Sequence, residues 1–588
     1  MATIRYTDEA NAQIVVALLK EHGIRKVIAS PGNTNYSIVG SLQYDPFFEV
    51  ISCVDERSAA YMACGLAATS GEPVVISCTG ATASRNYLPG LTEAYYRKLP
   101  IIAITSFNGS HNIGQLLPQN IDRTRIQRDV ALLSVDIPIV KDEEDAKYCV
   151  RKVNQALLET TRRGGGPVHI NVSTNYTSTF SSGSVPERRI IHRYQWGQKY
   201  PDLNENAKIA LFIAPHMAFD EKTDEALLGF VNSRNVCVFC DHTSNYSGPY
   251  GLLSTLASDN TSAQLPGFKQ YIPDLIIHIG EVSGDNPTMD FLKASGAPSW
   301  RVNPDGEIRD RFGNLTDVFE TDYASFFARY NSPNEVAHTY YDLWQKRDDY
   351  LRSLMPELPF SNRWIAQTVA PLLPPNSVAH FAILNSLRSW NYALYDRSVR
   401  GFCNTGGFGI DGALSTMLGS ALSEPETQHY GFVGDLAFFY DMNVLGNRTM
   451  GRNLHILVVN NGTGVEFHMP YSPANAMGED VDQFVAAAGH YVSRESGKSA
   501  VQSWSETMGC RYRAAWDKHS LIDALPFFID GNEESPVVLE CFTQPDDEVL
   551  AAAALQALDP VLARTRKFKT MVKKIMPGKI VSFIKKTL

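Results

Sequence analysis

Two short segments, far apart in the chain, carry residue types that could hold a charged cofactor. The later one reads G-D-L-A-F-F-Y-D-M-N and then L-V-V-N-N-G-T-G, with Asp435, Asn460, Asn461 and Thr463. A strand ending in Gly-Asp beside a strand ending in Asn-Asn-Gly sets hard oxygen ligands at two neighbouring strand ends. Such a set suits Mg²⁺ or Ca²⁺ holding a diphosphate. The 24 residues between Asp435 and Asn460 fit one helical crossover between parallel strands. Asp435, Asn461 and the Thr463 carbonyl are the expected metal ligands, with diphosphate oxygens and a water completing the shell. The earlier segment, V-D-E-R-S-A-A-Y-M-A-C-G-L-A, places Glu56 after the strand-like I-S-C-V and at the start of an apolar helix-like run. Alone, Glu56 would read as a first-turn acid favouring the helix dipole. Asp435 and Asn461 alone would read as turn residues.

Together and in this order, the segments resemble those of thiamine diphosphate (ThDP) enzymes. The resemblance implies that Glu56 is the activating acid. Bonded to the pyrimidine N1′, it favours the imino tautomer, whose nitrogen takes the proton from the thiazolium carbon. The stretch G-G-F-G-I-D-G contains a literal G-x-G-x-x-G at Gly407, Gly409 and Gly412, which alone would suggest a dinucleotide fold. No acid about 20 positions later ends a second strand. The better reading is a loop against the cofactor, with Gly409 close to it and Ile410 wedged beneath the bent ThDP. The Asp411 side chain is expected to cap the helix that follows.

The elements that must position these residues follow from composition and pattern. At 588 residues the chain exceeds one hydrophobic core, and three domains are expected. Net charge is −10, yet the last 28 residues carry nine Lys or Arg and no acid, which leaves −19 on the rest. Such a body is not built to bind nucleic acid by general electrostatics. Nine cysteines, an odd number in a long chain, do not form a disulfide framework. Cys237 and Cys240 read as half-buried strand residues. The N-terminus reads as an amphipathic helix capped by Thr7, with Asp8 and Glu9 in its first turn, and not as a signal peptide. No apolar run of about 18 residues could span a membrane, so a cytoplasmic protein is expected.

Apolar runs alternate with helical patterns throughout. R-K-V-I-A-S, E-V-I-S-C-V, P-V-V-I-S-C, L-P-I-I-A-I-T and P-V-H-I-N-V mark a doubly wound parallel α/β domain over residues 1–180. Residues 181–205 read as a linker. A central α/β domain spans 205–335, with strands in A-K-I-A-L-F-I-A, V-C-V-F-C and L-I-I-H-I-G. A third spans 360–550, with strands in S-V-A-H-F-A-I, H-Y-G-F-V-G-D, H-I-L-V-V-N-N and P-V-V-L-E-C. This is the pyrimidine-binding, central, diphosphate-binding order of ThDP decarboxylases and ligases.

Within that superfamily the chain resembles MenD, the ThDP-dependent synthase family of menaquinone biosynthesis, over most of residues 8–180 and 380–470. The segments that carry it are A-S-P-G-N-T-N, N-Y-L-P-G-L-T-E-A-Y-Y, L-P-I-I-A-I-T, N-S-L, G-I-D-G-A-L-S-T and G-D-L-A-F-F-Y-D-M-N. The resemblance implies an active site between subunits, with Glu56 from one chain and Asp435 from the other. The assembly would be a homodimer at least, a homotetramer being common. Gln119 aligns with a family glutamine near the reacting centre, and Ser386 with a residue lining the intermediate. Gly409, Ile410, Gly434, Leu436, Asn461 and Thr463 fall along the cofactor.

The family's substrate-binding arginines do not carry over. Asn33 and Thr34 stand at its Ser-Arg, and Phe107 and Asn108 where an Arg follows T-A-D. Trp390 replaces the Arg after N-S-L, with Arg388 close by, and Thr405 the Arg before G-I-D-G. Asp285 and Asn286 align with its Lys-Arg pair, and Glu466 with an apolar residue, followed by Phe467 and His468. Arg pairs clamp carboxylates bidentately. Their loss, with Asp285 and Glu466 added, argues against dicarboxylate substrates and for a sugar-like partner.

The expected function is a ThDP- and Mg²⁺-dependent carboligase. It would decarboxylate a 2-oxo acid and transfer the acyl carbanion equivalent to a carbonyl or enone acceptor. The alternative is a non-ligating decarboxylase, with His111, His468 or Glu466 as proton donor. A catalytically silent scaffold is a third reading. The tail, residues 561–588, sets Phe568, Val572, Ile575 and Met576 on one face among lysines before Pro577-Gly578. Basic amphipathic helices lie on anionic membranes, so peripheral contact at the inner membrane face is an added expectation.

Overall fold

Strands covered by helices on both faces must be apolar on both sides, and the long apolar runs of this chain do form central parallel strands. The computed structural model describes residues 4–123, 126–334, 336–491, 497–530, 535–556 and 558–564. The basic tail beyond 564 lies outside the described residues. The chain divides into two compact units, residues 1–199 with 306–320, and residues 200–305 with those from 321 onward.

In the first unit six strands form a parallel sheet in the order Glu49–Ser52, Lys26–Ala29, Val74–Thr79, Ile101–Phe107, Val168–Ser173 and Leu133–Ile137. Successive side chains of a strand face opposite ways, and the core divides accordingly. Val75, Ile102 and Ile104 pack with residues of the helices Ala10–Glu21 and Glu143–Glu159. Val74, Ile76, Ile101 and Ala103 pack with residues of Glu56–Ser70 and Leu88–Arg97. This is double winding. Residues 181–205 are not merely a linker: His192–Gln195 is a strand paired in parallel with Leu315–Glu320. Its sequence, H-R-Y-Q, hides it.

The second unit holds two further parallel arrays. One runs Gly251–Leu253, Val236–Cys240, Ile209–Ile213, Leu275–Ile279, Ser299–Val302. Its Cys237 and Cys240 are buried rather than half-buried, because helices cover both faces of a central strand. The other runs Arg400–Cys403, Val378–Phe381, His429–Gly434, Leu454–Asn460, Val537–Phe542, Arg511–Ala515. Among the described residues no helix is long and apolar enough to cross a membrane.

Two helix starts differ from expectation. The first helix begins at Ala10, after Glu9 in an extended conformation. The Glu9 carboxylate takes the N–H groups of Asn175 and Thr177, both at 3.1 Å, which holds Asp8 and Glu9 outside the helix. The helix Ala413–Ser423 is preceded by Gly412 and has no cap from Asp411. Asp441 supplies the acceptor instead, taking the Ser415 N–H at 2.6 Å and the Ser415 hydroxyl at 2.5 Å.

Candidate active site

The Gly-Asp motif sits where two parallel strands end side by side, with Gly434 opposite Val459. Gly434 stays extended and Asp435 opens the helix Asp435–Asp441. The Asp435 carboxylate is buried, 5% exposed. Its Oδ1 accepts the Leu436 N–H at 2.7 Å, and its Oδ2 the Gly462 N–H at 2.8 Å. Burial pushes this carboxyl up to about 6; the amide bonds pull it back and no nearby cation does. A buried carboxylate without countercharge is costly, and a divalent cation would remove that cost.

The loop after the next strand supplies the remaining donors. A positive φ of 71° at Gly462 lets it turn back toward Asp435. The Asn461 Oδ1 accepts the Thr463 N–H at 3.3 Å. The Thr463 hydroxyl is spent on the Ala486 carbonyl at 3.2 Å and on Asp482 at 3.1 Å. Its carbonyl accepts the Val465 N–H at 2.9 Å and keeps a second lone pair. Asn460 organises the loop: its Nδ2 donates to Glu540 at 2.7 Å, and its Oδ1 accepts the Gly462 N–H at 3.1 Å. Among the described residues no three His, Cys, Asp or Glu gather for a metal. One carboxylate, one amide oxygen and one carbonyl are instead an oxygen set that fits Mg²⁺ when diphosphate and water complete it.

These residues border a cavity of about 80 Å³. Gly434, Asp435, Leu436, Asn461 and Thr463 line it, together with Ser386, Ile410 and Glu466 among others. Glu466 is ion-paired with Arg388. Phe467, at 38% exposed, and His468, whose Nε2 lies 2.8 Å from Asp482, are outside that wall, as is Gly409.

Trp390, expected to face the substrate, packs into the core instead. It is fully buried and stacks on Phe432 at 3.6 Å, because it lies on the side of the helix Asn385–Trp390 that meets the sheet. Thr405 is also buried, its N–H on the Cys403 carbonyl at 2.8 Å. Asp285 and Asn286 begin the helix Asn286–Ser295 and line a second, larger cavity with Arg388. Arg363, Tyr392 and Tyr471 also line it, and the sequence reading had none of them. The available signal was the spacing of Arg363 to Ala366 and Ala370, both buried, which puts an arginine on an apolar helix face.

In the first unit Glu56 opens the helix Glu56–Ser70 as expected. Asp55 caps it by accepting the Ser58 N–H at 2.9 Å. Glu56 is half-buried and accepts from the Asn86 Nδ2 at 3.2 Å. Thr34 braces strand ends: its hydroxyl donates to the Ser106 carbonyl at 2.8 Å and meets the Thr79 hydroxyl. It is buried and its hydroxyl is spent there, so the substrate role expected of it is not supported. Asn33, His111 and Gln119 are exposed, Gln119 at a φ of +64°. Asn108 is half-buried, and its carbonyl accepts from the Asn112 Nδ2 at 2.5 Å.

The family model described as thiamine pyrophosphate enzyme, N-terminal TPP binding domain, matches residues 10–126. A 2-succinyl-5-enolpyruvyl-6-hydroxy-3-cyclohexene-1-carboxylate synthase of Bacteroides fragilis is 32% identical over 563 residues, covering 92% of this chain and 98% of the relative. The synthase of the same name from Bacteroides thetaiotaomicron is 31% identical, covering 92% and 97%. That of Desulfotalea psychrophila is 28% identical, covering 89% and 96%.

Proposed function

The chain belongs to the MenD family of ThDP-dependent synthases and is an enzyme of carbon–carbon bond chemistry; from that premise we propose that it is a Mg²⁺-dependent carboligase for a donor other than a dicarboxylate. The observation that carries the reading is Asp435, a buried carboxylate aimed by two amides into a cavity, with no cation to balance it.

In this reading Asp435, Asn461 and the Thr463 carbonyl would hold Mg²⁺ and through it the diphosphate, and Ile410 would contact the cofactor from the same cavity. When bound, ThDP supplies the electron sink on which a 2-oxo acid loses CO₂ and its acyl carbon becomes nucleophilic. Glu56 holds a proton at the pyrimidine ring. Ser386 borders the reacting space. The acceptor of that acyl carbon would be a carbonyl or enone compound. Gln119 would act near this centre, a role that the family resemblance supports.

Substrate choice follows from the charges. The pairing of Arg388 with Glu466 occupies an arginine near the cofactor cavity that could have replaced part of the family's clamp. Asp285 adds an acid where the family has a base. Asn33, Asn108 and Asn286 offer neutral donors, suited to a hydroxylated partner. The assembly is a homodimer or homotetramer with the site between subunits, in the cytoplasm, and its tail contacts the inner membrane face. The test is thermal stability with Mg²⁺, with and without ThDP, together with CO₂ release from a panel of 2-oxo acids. A ligand that binds only the folded form raises apparent stability.

A further inference from the structure

The larger cavity of the second unit has a volume of about 450 Å³, within the range of small-molecule sites. It adjoins the cofactor cavity through one ion pair, since Glu466 lines the smaller cavity and its partner Arg388 the larger. Tyr471 completes that pair by donating to the Glu466 Oε2 at 3.0 Å, and its ring lies 5.4 Å from the Arg388 guanidinium. Arg388 is therefore satisfied from within the protein.

Two other charged side chains on the wall are not. Arg363 is 2% exposed, and its Nε and Nη1 have no hydrogen-bond partner. Its guanidinium lies over the Tyr392 ring at 5.8 Å, but the Tyr392 hydroxyl donates to Asp259 at 2.8 Å. Glu548 feels the Arg363 charge, yet no bond joins them. The Glu548 Oε1 accepts the Asn362 N–H at 2.9 Å and the Thr543 hydroxyl at 2.8 Å. Asp285 is 1% exposed. Its Oδ1 accepts the Thr288 N–H at 3.3 Å, while its Oδ2 has no partner. A buried cation and a buried carboxylate oxygen left unpaired are costly to the fold, and a ligand with the opposite groups would satisfy both.

We propose that this cavity seats a small hydroxylated ligand with a single anionic group, its carboxylate or phosphate on Arg363 and a hydroxyl donating to the Asp285 Oδ2. The charge count sets the class. Arg363 is the cation of the wall that its neighbours leave without a hydrogen bond at Nε and Nη1, and Asp259, Asp285 and Asp290 oppose a second anionic group. That the ligand is a substrate rests on the cofactor reading above; that it binds does not. Its anion adds charge-assisted bonds to a planar donor fork, which Lys cannot reproduce.

The experiment titrates the full chain with gluconate, glucose 6-phosphate, glucose and succinate by calorimetry, beside Arg363→Gln, Arg363→Lys and Asp285→Asn. The expected result is binding of gluconate or glucose 6-phosphate in preference to glucose and succinate. Affinity should fall on the order of 10- to 100-fold in Arg363→Gln. Arg363→Lys should recover part of it and Asp285→Asn lose part of it. The two anions tell a carboxylate ligand from a phosphate one. Failure of both to bind, or equal binding by wild type and Arg363→Gln, would overturn the proposal. Should the variants misfold, protection of Arg363 from phenylglyoxal by the same anions is read on the wild type, and absence of protection overturns it equally. ThDP binding is measured in parallel. Anion binding without ThDP binding would sink the cofactor reading and leave this site standing.

Discussion

Glu466, on the wall of the cofactor cavity, is ion-paired with Arg388, which is four-fifths buried and backed by the Tyr471 ring. The pair makes a potential anion clamp electrically silent. Replacing Glu466 with Gln frees the guanidinium. Affinity for a dicarboxylate such as 2-oxoglutarate should rise roughly 10-fold or more, while that for pyruvate changes less, since a charge-assisted pair contributes about 1.5–3 kcal/mol. Calorimetry with both acids checks this. An unchanged ratio would mean that the pair does not set the charge preference.

Asp435→Asn separates stability from ligand binding. Removing a buried carboxylate that has no countercharge should leave the ligand-free protein as stable as wild type or more so. Mg²⁺-dependent ThDP binding should weaken by on the order of 100-fold or more, because a hard anionic ligand is lost. Melting curves with and without Mg²⁺ and ThDP report both. A variant that melts lower without ligand and gains as much from it would contradict the account.

Asp285 gives a pH signature. Burial, and next the Asp241 charge, push its carboxyl up to about 7 from an ordinary value of 3.8, against the Thr288 bond and the nearby Thr255 hydroxyl. The folded state thus holds this proton more tightly than the unfolded state. The contribution is favourable at low pH, falls as pH rises from about 4 to 7, and is level above. Asp285→Asn lacks the titration and keeps a good helix cap. The variant should therefore gain melting temperature over wild type at pH 8 and lose that gain at pH 5. The Asp241 carboxylate, also raised by burial and held by Thr243 and Ser283, is common to both proteins. A constant difference across pH would refute the assignment.

Trp390→Ala should cost about 3–5 kcal/mol in urea unfolding, the range for emptying an aromatic core position. Trp390→Phe should cost less. Neither should alter which 2-oxo acid is preferred, because the indole meets Phe432 and Phe381 rather than a cavity. A changed preference at intact stability would return Trp390 to the site.

Legibility in the sequence followed burial. Val74–Thr79, Leu275–Ile279 and Leu454–Asn460 lie inside their sheets, are buried along nearly all their length and are mostly apolar, so each showed as a clear run. Leu133–Ile137, Gly251–Leu253, Arg400–Cys403 and Arg511–Ala515 are edge strands. An edge strand needs only part of its surface apolar, and L-S-V-D-I or R-Y-R-A-A carries no clear period. The loop that carries Asn461 was legible because Gly-Asp and Asn-Asn-Gly end neighbouring strands. The wall of the larger cavity was not. Two residues apart on a helix point about 200° apart, so Arg388 faces the cavity while Trp390 faces the core. Alignment to the lost arginine said nothing of that. Arg363 follows the capping Ser361, and its spacing to Ala366 and Ala370 was the one sign that it faces inward.

The central claim is that Glu56 activates a ThDP held at Asp435. Its most direct test is CO₂ release from 2-oxo acids by wild type and Glu56→Gln, with ThDP-dependent stabilisation measured on both. The account predicts stabilisation by Mg²⁺ and ThDP in both proteins, and turnover lower by roughly 10²- to 10⁴-fold in the variant. No stabilisation of the wild type by ThDP, or equal turnover by the two, would contradict it.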